Sequence, residues 1–274
     1  MNINTLVVFH RCGGKSLNYP PNALITIEWA IKFGAKAIEY DVVYCKDDTR
    51  DKIIVAEPKL IKSVNLDINN LQWNDIRKLN AGNEKFGYQN VPELEEVLTL
   101  VSTTNIQQQI HIKGNRPKTL EILLNKLRNT NNFSITSFDI GLLKRIKDIS
   151  NTAKVGWLVK PKQEKDSEGG EDLTAFVTAN AKAFLNYSEK ETKDIINIAK
   201  KNMIDIIILC GPRIKEKTVI KTVKSQGFEV GAWGVGTNLD LAKQLIQFNI
   251  DRFTIDNPEQ FSFVLRLANA RSGH

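Results

Sequence analysis

Short, continuously apolar runs alternate with amphipathic helical segments along nearly the whole chain, and this rhythm leaves few folds open. Strands are expected over Leu6–His10, Ala37–Val43, Ile106–Lys113, Phe133–Phe138, Lys154–Val159, Ala181–Tyr187, Asp205–Cys210, Phe228–Val235 and Arg252–Asp256. Helical periodicity runs over Ala23–Phe33, Thr119–Leu127, Leu142–Ile149, Lys190–Lys200, Thr218–Ser225 and Leu239–Phe248. Strands joined by crossover helices run parallel. Runs that are apolar on both faces belong to strands buried on both sides. The expected fold is therefore α/β, a (β/α)8 TIM barrel. Nine candidate strands compete for eight places, so one of Ala181–Tyr187 and Asp205–Cys210 is surplus. A flat doubly wound sheet is the competing architecture. The lack of a GxGxxG or P-loop after the first run counts against it.

The chain has 274 residues, 42% hydrophobic and 25% charged, enough to bury one large core. A single domain over 1–274 is expected. Within it, 44–100 departs from the alternation and reads as an insertion after the second strand, beside the barrel mouth. That segment is polar and turn-rich, with short helices around Leu71–Leu79 and from Glu93 to Val101. Lys162–Asp172, charged and glycine-bearing after a strand, reads as a mobile loop on the site face. The net charge of +7 is spread along the chain, which suits an anionic small molecule but mostly solvates the surface. No Lys/Arg run is interleaved with aromatics, so nucleic acid is not an expected partner. Cys12, Cys45 and Cys210 are too few and too scattered for a disulfide framework or a structural zinc site. The strongest apolar run, Ile206–Cys210, is too short to span a bilayer, and Met1–Thr5 carries no signal-peptide pattern. A cytoplasmic protein is expected, and the pattern sets no oligomeric state. Arg271–His274 has no periodicity and is left out of site reasoning.

A barrel of this kind builds its active site at the C-terminal ends of its strands. His10-Arg11 ends the first run. On the second, Glu39 and Asp41 are two apart and share a face, as do His111 and Lys113 on the third. Two carboxylates aimed into a barrel are costly without a cation or base beside them, which favours a functional pocket over a structural ion pair. Their oxygens suit a hard divalent cation such as Mg²⁺ or Ca²⁺. Arg11 and Lys113 suit a phosphate, though Lys113 could instead form a salt bridge to Glu39. His10 can move a proton near neutral pH. His111 is as well explained as a hydrogen-bonded core histidine as by metal ligation. Phe138 and Trp233 are candidate pocket walls. Cys12 reads as a packed thiol, since no second activating group accompanies it. Together these groups suggest metal-assisted phosphodiester chemistry.

On those residues the chain resembles the glycerophosphodiester phosphodiesterase family. That family opens with His-Arg-Gly, a Pro-Glu-Asn-Thr stretch and Glu-x-Asp. Here the corresponding residues are His10-Arg11-Cys12, Pro21-Asn22-Ala23 and Glu39-Tyr40-Asp41. The likeness continues in order through Leu71–Asn74, Ala81-Gly82, Val91–Leu98, Ser137-Phe138-Asp139, Gly156-Trp157-Leu158, Trp233 and Thr254-Ile255-Asp256. It implies a TIM barrel, a divalent metal and glycerophosphodiester-type substrates of lipid metabolism. Three positions depart from the pattern. The family's second catalytic histidine, in His-Asp-Pro, is Ala56 in Val55-Ala56-Glu57-Pro58. The glutamate of Glu-x-Lys is His111, and that of Pro-Glu-Asn-Thr is Pro21.

His111 would then either replace the third metal ligand, favouring Mn²⁺ or Zn²⁺, or supply the missing acid. Glu57 is a poorer acid, because on a regular strand it points opposite to Ala56 unless the turn at Pro58 re-aims it. The expectation is a metal-dependent phosphodiesterase of reduced or altered catalysis. The alternative is an inactive relative that binds a phosphorylated ligand or a protein. Transphosphorylation and lyase cleavage are compatible with the same residues.

Overall fold

The computed structural model describes residues 5–14, 16–114, 117–161 and 185–262. Its strands are β1 (Leu6–Phe9), β2 (Ala37–Cys45), β3 (Lys52–Val55), β4 (Gln107–Lys113), β5 (Phe133–Ser137), β6 (Val155–Leu158), β7 (Ile206–Cys210), β8 (Glu229–Gly236) and β9 (Arg252–Ile255). Eight of them pair in parallel, in the order β1-β2-β4-β5-β6-β7-β8-β9, and β9 returns to β1 to close the sheet. This is a (β/α)8 TIM barrel with β3 as one extra strand. Helices α1 (Leu24–Phe33), α4 (Leu94–Val101), α5 (Pro117–Lys126), α6 (Ile140–Ile149), α7 (Glu189–Lys201), α8 (Lys217–Lys224) and α9 (Leu239–Gln247) link successive barrel strands. Of the two competing runs, the later one is the strand. The described part of the other, Leu185–Tyr187, forms none, and the rest of it lies outside the described residues. So does the Lys162–Asp172 loop.

All nine residues of β2 are buried, because one face lines the barrel and the other is covered. β1 is shorter and reaches no further along β2 than its start, at Val8–Ala37 and Phe9–Ile38. Beyond that, the edge of β2 is taken by antiparallel β3, from Val42–Val55 to Cys45–Lys52. Covering that edge protects it from stray pairing. The polar, turn-rich surroundings of β3 gave no strand signal. With α2 (Pro58–Ser63) and α3 (Trp73–Ile76), β3 builds a small separate core of Val43, Cys45, Ile54, Ile61, Leu71 and Ile76.

At the opposite end of the barrel, Arg252 is buried. Its guanidinium pairs with Glu229 and donates to Ser134 Oγ at 3.3 Å. Gly231 makes room for it, since a Cβ there would sit 3.1 Å from Arg252 Cγ. This ionic plug occupies the end of a TIM barrel associated with stability rather than chemistry.

Candidate active site

Where β1 ends, the chain turns tightly over His10–Gly13. Arg11 (φ 49°), Cys12 (φ 63°) and Gly13 (φ 86°) are successively left-handed. Each non-glycine residue held there costs about 1–2 kcal/mol. The turn aims the Arg11 amide at Glu39, whose Oε2 accepts it at 2.9 Å. Gly13 cannot carry a side chain, because a Cβ would come within 2.7 Å of the Trp29 ring. Cys12 is buried beneath this turn with its thiol 3.6 Å from the Glu39 carbonyl oxygen. Burial and the nearby Glu39 charge push that thiol well above its ordinary pKa, as suits a packed thiol rather than a nucleophile.

Glu39 and Asp41 are 2% and 1% exposed. Burial would raise both carboxyls. The charge of His10, with help from His111, outweighs it at Glu39 and leaves that group below its ordinary value. Lys113 and Arg11 outweigh it at Asp41 and hold the carboxyl at about 2. Lys113 Nζ lies 3.2 Å from Asp41 Oδ1, and Arg11 Nε lies 3.5 Å from Oδ2. Asn22 donates to the same Oδ2 at 3.4 Å. His111 is buried, and burial together with Lys113 lowers its pKa, so its ring is neutral at pH 7.

The His111 Nδ1 sits 3.6 Å from Glu39 Oε1 and 3.7 Å from Asp41 Oδ1. These gaps are too long for hydrogen bonds. Asp41 Oδ1 is buried and accepts no hydrogen bond. One ligand atom from each of Glu39, Asp41 and His111 lies within 4.8 Å of the others. Two carboxylate oxygens and a neutral imidazole nitrogen around such a gap are a donor set that fits a divalent cation.

His10 is tied on its other side. Its Nδ1 is 2.6 Å from Asp256 Oδ1, just past β9, and its Nε2 is 3.8 Å from Glu39 Oε2. A carboxylate on Nδ1 fixes the tautomer that leaves Nε2 free to accept a proton. A narrow cleft is lined by His10, Arg11, Glu39, His111, Lys113, Phe138 and Trp233, with Asp256 among the rest of its wall. Asp41 lies behind Lys113. Phe138 packs edge-on to Trp233 at 5.3 Å and 5.6 Å from the His111 ring. Trp233 is held by its Nε1–H, which donates to the Val159 carbonyl at 3.1 Å. Ala56 follows β3 and is buried, its amide donating to the Asp41 carbonyl.

Three residues in this arrangement were not among the expected site residues. Asp256 orients His10, Asn22 braces Asp41, and the carboxylate of Glu57 pairs with Arg11 Nη1. Asp256 had a legible signal, since a carboxylate closing an apolar run is the same mark that singled out Glu39 and Asp41.

The sequence profile of the glycerophosphoryl diester phosphodiesterase family matches residues 10–260. Among solved structures, a glycerophosphodiester phosphodiesterase from Parabacteroides distasonis is similar at 16% identity and TM-score 0.72, covering 97% of this chain and 99% of that one. A glycerophosphodiester phosphodiesterase from Agrobacterium tumefaciens aligns at 16% identity and TM-score 0.69, covering 94% and 99%. An Oleispira antarctica phosphodiesterase in complex with the product sn-glycerol-3-phosphate aligns at 15% identity and TM-score 0.71, covering 94% and 96%. No curated protein sequence matches the chain. Among the described residues, no helix is long and apolar enough to cross a membrane.

Proposed function

The chain belongs to the glycerophosphoryl diester phosphodiesterase family, and from that membership we propose a metal-dependent phosphodiesterase acting on glycerophosphodiester-type substrates, with catalysis altered at two positions. The observation that carries this reading is the meeting of an Asp256-bound His10 with Glu39, His111, Arg11 and Lys113 in one cleft. Glu39, Asp41 and His111 would hold the cation, which supplies positive charge against a phosphate oxygen. Arg11 and Lys113 bind the remaining phosphate oxygens through charge-assisted hydrogen bonds. His10 takes the proton of the attacking hydroxyl on Nε2, while Asp256 stabilises the imidazolium that results. The hydroxyl is a water's or the substrate's own, and product analysis separates the two. Phe138 and Trp233 give an apolar wall for the carbon skeleton.

The methyl of Ala56 can donate no proton. A missing acid of this kind costs about 10²–10⁴ in rate. The cost is least when the departing alcohol is acidic, so aryl diesters should turn over faster than glycerophosphocholine. The test is hydrolysis of both substrates with Ca²⁺, Mg²⁺, Mn²⁺ and Zn²⁺, in the native chain and in His10→Ala. Metal-dependent turnover lost in His10→Ala supports the reading, and flat baselines under every metal remove it. Ala56 also motivates a second reading, an inactive relative that binds a phosphorylated ligand or a protein partner. That reading predicts a phosphate-induced rise in Tm without turnover.

A further inference from the structure

Alternation along a regular strand points Glu57 away from Ala56, yet its carboxylate meets Arg11. β3 stops at Val55, and Glu57 becomes the residue that opens α2, with Pro58 in the first helical turn. The backbone is no longer in a ladder at this point, so the alternation rule does not govern it. The two side chains are 15% and 14% exposed, largely shielded from water. Asp41 Oδ2 lies 3.5 Å from Nε of the same guanidinium, a charge contact without a hydrogen bond. Glu57 is therefore the carboxylate bonded to the Arg11 side chain, with the Asp41 charge beside it, while Arg11 lines the cleft. A guanidinium is a rigid planar fork, so a bond to one nitrogen bears on the direction of the others.

We infer that Glu57 is a positioning residue for Arg11, setting the angle at which the guanidinium meets the phosphate in the phosphodiesterase reading above. Such a role has a signature that simple scaffolding lacks. Removing the Glu57 charge leaves the cleft more positive, which holds or improves affinity for an anion. Loosening Arg11 slows the chemical step, because transition-state contacts depend on orientation. The two effects move KM and kcat separately.

The experiment compares the native chain with Glu57→Gln, Glu57→Asp, Arg11→Ala and the double variant Arg11→Ala/Glu57→Gln. Aryl phosphodiester hydrolysis and inhibition by inorganic phosphate are the readouts. Glu57→Gln should lower kcat about tenfold with KM and phosphate inhibition unchanged or tighter. Glu57→Asp should follow it, since a side chain one methylene shorter falls short of Arg11. In the Arg11→Ala background, Glu57→Gln should change kcat less than about twofold, because a residue acting through Arg11 has nothing left to act on. Equal losses from Glu57→Gln with and without Arg11, or a raised KM at unchanged kcat, would overturn the role while leaving the phosphodiesterase reading intact. A native chain without turnover under any metal removes that reading and this role together.

Discussion

Placing a glutamate at position 111 tests the metal reading without touching His10. In the native chain Glu39 and Asp41 face a neutral imidazole at 3.6 and 3.7 Å. A carboxylate there would meet two like charges at similar range, each repulsion worth about 4 kcal/mol at an effective dielectric of 20. Lys113, 3.2 Å from Asp41, offsets part of that. The new carboxyl also has an escape, because it can keep its proton. Staying neutral at pH 7 against an ordinary pKa near 4.3 costs about 3.7 kcal/mol. The loss at pH 7 in chelator is therefore capped near 4 kcal/mol. At roughly 2–4 °C per kcal/mol for a chain of this size, His111→Glu should lower Tm in EDTA by no more than about 8–16 °C. The deficit should shrink as pH falls toward the ordinary carboxylate range, because protonation then costs less. Cation binding works the other way, and an ion at a hundred times its Kd returns about 2.7 kcal/mol. The Tm gain on adding Ca²⁺ or Mg²⁺ should be larger in His111→Glu than in the native chain, and any added response to Mn²⁺ or Zn²⁺ that an imidazole ligand confers should fade. Thermal melts in EDTA and in each metal decide it. A variant as stable as the native chain in EDTA, with an unchanged metal response, would mean that position 111 does not face the two carboxylates.

Asp256→Asn should cut kcat by about 10²–10⁴ with little change in Tm, because an amide on Nδ1 no longer enforces the tautomer that frees Nε2. Steady-state kinetics alongside a melt would check it. Arg213 is buried, held by Glu191 through two bonds of 2.7 Å and stacked over Tyr187 at 4.1 Å. Glu191→Ala leaves that guanidinium unpaired and should cost about 3–5 kcal/mol, read as a lower urea midpoint at unchanged m. At the ionic plug, burial would raise the Glu229 carboxyl, but Arg252 and Lys154 outweigh it and hold the pKa below its ordinary value. A lowered carboxyl stabilises the fold fully above the ordinary pKa and loses that contribution as pH falls through its folded value. Glu229→Gln should therefore flatten part of the acid side of the Tm–pH curve while lowering Tm at neutral pH.

The barrel was legible because its strands are buried on both faces and so read as unbroken apolar runs. β3 was not, since Lys52–Val55 is a four-residue edge strand inside polar sequence. The period of two along β2 and β4 is a local property, and it was enough to bring Glu39, His111 and Lys113 to one cleft with His10 and Arg11. Asp256 contacts His10 across 246 positions of sequence, a pairing that exists only once β9 closes onto β1. Asn22 sits at φ 64° in a turn whose path no periodicity describes. The direction of Glu57 depended on whether the turn at Pro58 re-aims it, which strand alternation alone does not fix, and the structure turns it toward Arg11.

The departures from the family pattern at 21 and 111 act in one direction on charge. The resemblance implies a glutamate at each of positions 21 and 111, so Pro21 and His111 would each make this end of the barrel less negative. Glu39, Asp41, Glu57 and Asp256 remain, opposed by the fixed charges of Arg11 and Lys113. Counted without the histidines, that balance leaves two negative charges, which match the charge of one divalent ion in magnitude. A site so balanced holds a cation less tightly than one with further carboxylates, and it repels an incoming phosphate less. Alanine at 56, where the resemblance implies a histidine, leaves that balance unchanged. In the proposed reading, a change in proton transfer at 56 and the charge frame for metal and phosphate are therefore separable, and that frame would rest on Glu39, Asp41, Arg11 and Lys113.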